Sequence, residues 1–195
     1  MGKIYYLMGK SASGKDTVYK RLLKARPELK EYIMYTTRPI RDGEIPGVTY
    51  NFTNDNGIEE FRRLGKLIES RTYNTVSGPW TYATVDDGQI DPDNGDYLVP
   101  GGVLESYVKV RDYFGKDKVV PVYLEVEDGE RLLRALKREQ SQPVPKYKEM
   151  CRRFLADSED FSEENLKKAG IVLSYDNSDT DKCVESILKL MDPDR

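Results

Sequence analysis

The fold of this chain is decided by the stretch Gly9-Lys10-Ser11-Ala12-Ser13-Gly14-Lys15-Asp16-Thr17. It follows an apolar run at residues 4–8, which predicts a buried strand, and precedes a helical pattern at 17–25. Two glycines in this setting let successive backbone N–H groups converge on phosphate oxygens, and the helix adds its positive N-terminal end. The stretch therefore predicts a phosphate-binding loop in which Lys15 reaches the outer phosphates. The alternative is a strand-to-helix turn without a ligand.

One residue departs from the usual phosphate loop. Asp16 occupies the position of a Ser or Thr whose hydroxyl binds magnesium. A carboxylate is also a magnesium ligand, although it brings negative charge close to the phosphates. Asp16 is therefore our candidate metal ligand and Mg²⁺ the expected cofactor. The alternative is that Asp16 interacts only with the positive end of the helix.

Composition limits the class of function. A length of 195 residues suits one α/β domain, and a formal net charge of −3 argues against general attraction to nucleic acid or membranes. Cys151 and Cys183 form no C-x-x-C or zinc spacing, so we expect free thiols in a cytoplasmic protein. We expect neither a signal peptide nor a membrane span.

The chain has no histidine. This excludes Ser-His and Cys-His nucleophilic sites, histidine general bases and most zinc sites. Catalysis must then depend on lysine, arginine, carboxylates and a hard metal ion. Phosphoryl transfer fits this restriction because it depends mainly on positioning and charge stabilisation.

Apolar runs alternate with helical patterns along the chain. Strands are predicted at 4–8, 32–35, 97–99, 119–124 and 171–173, and helices at 17–25, 103–114, 128–138 and 180–191. This alternation predicts an α/β fold, a mostly parallel sheet covered by helices on both faces. We expect a single domain over residues 1–195, with a core formed by 1–37 and 96–195.

Residues 38–95 interrupt the alternation. They predict short strands at 49–52 and 67–72, a helix near 57–64 and a glycine-proline turn at 77–79. We interpret them as a small, partly antiparallel subdomain inserted in the parallel framework. An insertion at the carboxyl ends of the strands would hold a second substrate beside the phosphate loop.

Two arginines and a tyrosine lie at the start of this insertion. Arg38 and Arg41 are three residues apart, and Tyr50 follows twelve residues after the first. Guanidinium groups match phosphate oxygens bidentately, and a tyrosine hydroxyl can complete the cage. The alternative is a solvated loop, but a position after a phosphate-loop unit favours a second phosphate site.

This segment resembles the guanylate kinases, whose pattern after the phosphate loop is T-T-R-x-x-R-x-G-E-x-x-G-x-x-Y-x-F. The chain matches it at Thr36, Thr37, Arg38, Arg41, Gly43, Glu44, Gly47, Tyr50 and Phe52. The resemblance extends over nearly the whole chain and is weakest over residues 74–105. It implies a phosphate-loop sheet with an inserted subdomain for a nucleoside monophosphate and a helical lid.

By position, the resemblance implies a site for GMP. Its phosphate would be bound by Arg38, Arg41, Tyr50 and Tyr82. Glu69 would bind guanine, because a carboxylate can accept two parallel hydrogen bonds from the ring N–H and the amino group. Thr84 would donate a hydrogen bond to the guanine carbonyl oxygen. The alternative for Glu69 is an exposed strand carboxylate.

The resemblance also implies an ATP site and a lid. The ATP-binding residues would be Gly9, Ser11, Ala12, Ser13, Gly14, Lys15, Asp16, Thr17 and Asn177. The lid would be the basic segment at about 138–153, whose Arg138 and Arg153 neutralise charge on the moving phosphoryl group, with Lys15 as the third catalytic residue. The alternative for this segment is a solvated basic helix face.

Three features depart from the family pattern. Met34 replaces a serine that contacts guanine, and about four extra residues precede Tyr82. The family's Asp-x-Asp at the end of the central strand falls on Pro100-Gly101-Gly102. These departures concern base specificity and metal binding.

The expected reaction is phosphoryl transfer from ATP to GMP, with Mg²⁺, small-molecule substrates and no nucleic-acid or membrane partner. One alternative is a kinase for another nucleotide or a phosphorylated sugar, which Met34 and Gly102 favour and Glu69 and Thr84 oppose. The other is a non-catalytic phosphopeptide-binding module, which the retained Lys15 opposes.

Overall fold

The computed structural model describes residues 2–75 and 78–192. In chain order the strands are β1 (Ile4–Gly9), β2 (Lys30–Glu31), β3 (Tyr35–Thr36), β4 (Asn51–Phe52), β5 (Leu67–Thr75), β6 (Gly78–Val85), β7 (Tyr97–Pro100), β8 (Val119–Glu125) and β9 (Tyr175–Asp176). The helices are α1 (Lys15–Ala25), α2 (Asp55–Arg63), α3 (Leu104–Phe114), α4 (Asp128–Gln140), α5 (Tyr147–Asp160), α6 (Glu163–Lys168) and α7 (Thr180–Met191).

The central sheet has the strand order β2-β7-β1-β8-β9, and its strands are parallel. Strand β1 lies in the middle, with Ile4 opposite Tyr97 on one side and Val119 on the other. All six residues of β1 are buried, because a parallel sheet is covered on both faces. The predicted α/β fold is therefore confirmed, and β1 delivers the chain directly into the phosphate loop.

Alternate residues of β1 build the cores on the two faces of this sheet. Ile4 and Tyr6 pack in a cluster that includes residues of α3, whereas Tyr5 and Leu7 pack with residues of α1 and α7. This division follows from the period of two in a strand. Within the described part of the chain, no helix is both long enough and apolar enough to cross a membrane.

The second sheet has the order β4-β3-β6-β5 and forms the predicted insertion. Strands β5 and β6 pair antiparallel, as do β3 and β6, whereas β3 and β4 are parallel. Helix α2 covers this sheet with Ile58, which packs against Ala83 and Val85. Asn54 caps the helix by accepting a hydrogen bond from the Gly57 N–H group.

Two predicted strands differ from the structure. The strand predicted at 171–173 is wrong: only Ile171 is buried, Val172 and Leu173 are 89% and 66% exposed, and pairing with β8 begins at Tyr175. In the run predicted at 32–35 only Tyr35 lies in a strand, because residues 32–34 connect β2 of the central sheet to β3 of the second sheet. An apolar run alone does not say which sheet can offer it a partner.

Other local predictions were incomplete. The helical lid predicted at about 138–153 includes the start of α5, but the rest of α5 and all of α6 were not predicted, because Met150 is the one buried residue along α5 and α6 has only six residues. The predicted glycine-proline turn is wrong at Gly78 and Pro79, which begin β6. Its first residue, Ser77, lies outside the described residues.

Two glycines after β7 allow close packing at the carboxyl end of the sheet. A Cβ atom built on Gly101 would lie 2.3 Å from Cε1 of Tyr6 and 2.6 Å from the Leu7 carbonyl oxygen. A Cβ atom on Gly102 would lie 2.4 Å from Nη1 of Arg71. The first glycine therefore fits against rigid β1, whereas the second fits against the end of a flexible side chain.

We expect Gly101→Ala to lower the free energy of unfolding by about 1–3 kcal/mol, because the methyl group overpacks the contact with β1. Gly102→Ala should lower it by less, because the Arg71 side chain can shift. Urea unfolding of both variants, followed by circular dichroism, measures the difference. Equal losses would contradict the distinction between the two contacts.

Candidate active site

A cavity of about 620 Å³ lies between the phosphate loop, the second sheet and α5. This volume is within the range of small-molecule sites, about 300–1,000 Å³. Of the predicted site residues, it is lined by Gly9, Ser11, Lys15, Arg41, Tyr50, Tyr82 and Arg153. The structure thus places residues predicted for two different substrates around one space.

The phosphate loop has the backbone conformation that its sequence requires. Gly14 has a φ of 85° and Ala12 a φ of 64°, so both are left-handed. The Lys15 ammonium group donates hydrogen bonds to the carbonyl oxygens of Gly9 at 2.7 Å and Lys10 at 3.2 Å. Burial lowers the pKa of Lys15, which the nearby carboxylate of Asp157 opposes.

Asn177 contacts the phosphate loop from the end of the sheet. Its side-chain Nδ2 donates to the Ser13 carbonyl oxygen at 2.7 Å, and its backbone carbonyl oxygen accepts two hydrogen bonds of 3.1 Å from Arg134. The Asn177 side chain is also the nearest group to Gly14, leaving no room there for a Cβ atom. Asn177 thus fixes the loop in this structure, and its predicted contact with ATP stays a prediction.

One N–H group of the phosphate loop is already hydrogen-bonded to a carboxylate. Asp157 of α5 accepts a hydrogen bond of 2.6 Å from the Ser11 N–H group. Arg131 of α4 lies 3.7 Å from the same carboxylate, donates to the Ser11 carbonyl at 3.3 Å and places its guanidinium 3.9 Å from the ring centroid of Phe154. Because phosphate oxygens bind such amides, Asp157 stands where an anionic ligand would be bound.

Arg131 and Asp157 were missed as site residues by sequence reasoning. Arg131 is among the largest fully buried side chains, and it also pairs with Asp128 at 3.0 Å. In the sequence it is one basic residue of many on α4. No local signal distinguishes it, since its contacts with Ser11 and Asp157 depend on how α4 and α5 pack against the loop.

The predicted arginine pair occupies two different environments. Arg38 is buried and forms a two-pronged ion pair with Glu44, with hydrogen bonds of 2.7 and 2.5 Å. These bonds raise the pKa of Arg38 and lower the pKa of Glu44 to about 2. Arg41 is exposed in the cavity, with its guanidinium carbon 5.8 Å from the Trp80 ring centroid. Arg41 is therefore the arginine of the pair that faces the open space.

Aromatic rings surround these arginines. The guanidinium of Arg38 lies 4.9 Å from the ring centroid of Tyr50, and Tyr50 contacts Tyr82 edge-on at 5.8 Å. Tyr82 also contacts Tyr73 at 5.9 Å. Burial raises the pKa of Tyr50, so its hydroxyl stays a hydrogen-bond donor at neutral pH.

The residues predicted to contact guanine are enclosed. Glu69 has a fully buried side chain, and its two oxygens accept hydrogen bonds of 2.9 Å from the hydroxyls of Thr84 and Ser106. Glu69 and Thr84 are absent from the described lining of the cavity, whereas Met34 and Arg71 belong to it. The structure thus brings Glu69 and Thr84 together but does not expose them.

The lid arginines are only partly assembled at the cavity. Arg153 lies in its lining and pairs with Glu149 at 2.8 Å, as does its neighbour Arg152. Arg138 is exposed near the end of α4 and is not part of the described lining. Residues 141–146 join α4 to α5 without helix or strand, so the chain is irregular within the predicted lid.

Asp16 and Thr17 are exposed at the start of α1. The described residues contain no group of three or more His, Cys, Asp or Glu side chains that could hold a metal ion by themselves. Magnesium needs only one or two carboxylates when phosphate oxygens and waters complete its shell. Asp16 beside the phosphate loop fits a metal that arrives with a nucleotide.

The comparisons with known proteins agree with this geometry. The family model described as guanylate kinase matches residues 1–86. The guanylate kinase of Nostoc sp. is 39% identical over 72 residues, 37% of this chain and 36% of the relative. That of Chromobacterium violaceum is 33% identical over 94 residues, 46% of this chain and 44% of the relative. The matches span less than half of these curated relatives.

A crystal structure of guanylate kinase from Anaplasma phagocytophilum matches the chain with a TM-score of 0.64 at 20% identity. The match covers 97% of this chain and 84% of that one. The chain is therefore a phosphate-loop α/β protein with the fold of a guanylate kinase. Residues 1–86 are similar in sequence to the guanylate kinases, so the predicted resemblance is confirmed over that part of the chain.

Because this loop is predicted to bind the phosphates of ATP, we expect Asp157→Asn, which removes a negative charge from it, to lower the Kd for ATP about three- to tenfold. The amide oxygen still accepts the Ser11 hydrogen bond, so the loop should keep its conformation. Isothermal titration calorimetry measures the affinity. Glu159→Gln, an exposed change on the same helix, is the matched control. Weaker ATP binding by Asp157→Asn would show that the carboxylate supports the nucleotide-bound loop.

Proposed function

We propose that this protein transfers the terminal phosphoryl group of ATP to GMP, giving ADP and GDP. The observation that carries the proposal is the single cavity of about 620 Å³ that Lys15 and Ser11 of the phosphate loop share with Arg41, Tyr50 and Tyr82. A donor phosphate on the loop and an acceptor phosphate at the arginine would meet in this space.

The roles follow from the contacts. On binding, the donor phosphates replace the carboxylate of Asp157 on the loop amide of Ser11 and draw Lys15 from its present carbonyl partners. Arg41 holds the acceptor phosphate directly. Arg38 supports that site indirectly. Its guanidinium is paired with Glu44 and lies against the rings of Tyr50 and Phe52.

Charge neutralisation during transfer is assigned to the lid. Arg153 already lies at the cavity, and its partner Glu149 belongs to the same lining. Arg138, in the last turn of α4, reaches the cavity when the segment between α4 and α5 closes over it. The developing charge is spread over phosphoryl oxygens, which is where positioned arginines stabilise the transition state.

No general base is required of the protein, because the attacking oxygen of the acceptor phosphate is already ionised at neutral pH. This requirement agrees with a chain that has no histidine. Mg²⁺ supplies further neutralisation of the phosphate charge, and Asp16 is the side chain that would hold it. Both cysteines are free thiols, which fits the reducing cytoplasm that we assign to the enzyme.

The alternatives fit the geometry less well. Tyr50, Tyr73, Trp80 and Tyr82 line the cavity, and such flat rings suit a planar base better than a sugar without one. A phosphopeptide-binding module would need only the acceptor half. It would give no reason for Lys15 to be placed with loop amides at the other end of the same cavity.

A coupled ADP-release assay tests the proposal with GMP, dGMP, AMP, UMP and IMP as acceptors. Lys15→Ala should lower kcat by about 100- to 1,000-fold, because a charge aimed at the transferring phosphate contributes roughly 3–4 kcal/mol. Arg41→Ala should raise the KM for GMP about tenfold or more and leave the KM for ATP nearly unchanged. Arg63→Ala, exposed on α2, is the control for a lost surface arginine. An equal rise of both KM values would show that the two sites are assigned wrongly.

We expect Asp16→Ser to raise the magnesium concentration for half-maximal activity several-fold, because a neutral hydroxyl then replaces the carboxylate at the predicted metal position of the loop. Asp55→Ser changes the corresponding first-turn carboxylate of α2 and controls for the helix dipole. Initial rates across a magnesium titration at fixed ATP give the measurement. An unchanged or lowered requirement would rule out Asp16 as the metal ligand.

A further inference from the structure

Glu69 cannot meet a base as this structure stands. Its side chain is 0% exposed, and each oxygen already accepts a hydroxyl hydrogen bond, one from Thr84 on β6 and one from Ser106 on α3. Both partners are buried as well. A carboxylate held in this way acts as an internal counter-ion and not as an open acceptor pair.

The group that Glu69 balances is Arg71. These residues are two apart on β5, so their side chains share one face of the strand. Nε of Arg71 lies 3.5 Å from Oε2 of Glu69, and the Arg71 side chain is 14% exposed. Arg71 lines the cavity, whereas Glu69 is not in its described lining. The cavity wall at this point is therefore a guanidinium, with the carboxylate behind it.

Gly102 makes room for this guanidinium. A Cβ atom at position 102 would lie 2.4 Å from Nη1 of Arg71, and Gly102 lines the cavity beside it. By the resemblance to the guanylate kinases, an aspartate of the family pattern falls at this position. This chain thus combines a glycine and an arginine where the pattern has a carboxylate, which makes the recess more positive.

Arg71 is charged and has unused hydrogen-bonding capacity. Desolvation is the largest effect and opposes its charge, but the Glu69 carboxylate and the nearby Tyr6, Tyr73 and Tyr50 together outweigh it, so the pKa of Arg71 is raised. Its Nε is buried without a hydrogen-bond partner in the described part of the chain. This nitrogen faces the Glu69 carboxylate, so the donors that a ligand would meet are the terminal nitrogens, of which Nη1 lies next to Gly102 in the cavity lining.

One edge of guanine has the acceptor pattern that a guanidinium recognises. The O6 and N7 atoms are two neighbouring acceptors that take a bidentate pair of hydrogen bonds from arginine. Adenine presents an amino donor in place of O6. The ring N–H and 2-amino group of guanine are donors, which suit a carboxylate but not this recess.

We propose that Arg71 recognises the base of the acceptor by donating to O6 and N7 of a 6-oxopurine, and that Glu69, Thr84 and Ser106 hold Arg71 in place. This inference rests on the proposed function. It replaces the expectation that Glu69 contacts guanine directly. Its consequence is that the 2-amino group contributes little, so the acceptor class is 6-oxopurine nucleoside monophosphates, IMP as well as GMP.

The first test compares acceptors with the wild-type enzyme. The kcat/KM for IMP should be within about threefold of that for GMP, and the value for AMP should be about 100-fold lower. The 7-deaza analogue of GMP, which lacks the N7 acceptor, should have a KM about tenfold higher than that of GMP with a similar kcat. The last measurement separates recognition at O6 and N7 from recognition at the 2-amino group.

The second test changes the arginine. Arg71→Met should raise the KM for GMP and IMP about 10- to 100-fold with little change in kcat, and should reduce the preference over AMP. Because this variant leaves Glu69 buried without its cation, the double variant Glu69→Gln with Arg71→Met is made beside it, and thermal melting verifies that each folds. Arg71→Lys should recover part of the affinity for GMP. Arg62→Met, on the exposed face of α2, is the control.

The results separate the inference from the proposed function. If GMP is used at least about 30-fold better than IMP and Arg71→Met leaves that ratio unchanged, the 2-amino group is recognised and the inference fails while GMP phosphorylation stands. If ADP is released with none of these monophosphates, and calorimetry detects no GMP or IMP binding, both fail. If GMP and IMP bind equally without turnover, the inference stands and the proposed function fails.

Discussion

The rest of the structure depends on how the carbonyl groups of the phosphate loop are held. Three side chains donate to them: Lys15 to Gly9, Arg131 to Ser11 and Asn177 to Ser13. With these carbonyls bound outside the loop, its N–H groups are left for an anion. Lys15 belongs to α1, Arg131 to α4, and Asn177 follows β9, so the loop conformation depends on the packing of distant parts of the chain.

Charge around the cavity is arranged in pairs of unequal exposure. Arg38 is more buried than its partner Glu44, whereas Glu69 is more buried than its partner Arg71, and in both pairs the carboxylate fixes a guanidinium. Buried pairs add little net stability, because desolvation offsets their attraction. Their value in this fold is orientation: each arginine is held near the cavity before any phosphate or base arrives.

Features encoded by neighbouring residues could be predicted from the sequence, whereas features that need contacts between distant residues could not. Strand β1, the loop and helix α1 were predicted because the apolar run, the two glycines and the helical pattern that indicate them all occur within the first 25 residues. The enclosure of Glu69 was not, since it needs Thr84 and Ser106 from other elements. Arg71 was not singled out for the same reason. The position of Arg71 at the cavity depends on the space left by Gly102. Gly102 is 31 positions away, and only the structure shows that the two residues are in contact.

The two halves of the cavity are mechanically joined through α5. Asp157 on this helix accepts the Ser11 hydrogen bond, and Arg153, four residues earlier and so on the same helix face, lines the cavity. A phosphate that takes the place of Asp157 on the loop separates α5 from its contact there. Because a helix moves as a unit, any shift of α5 that frees the loop also changes the position of Arg153. Under the proposed function, donor binding and the placement of Arg153 are therefore coupled through four residues of one helix.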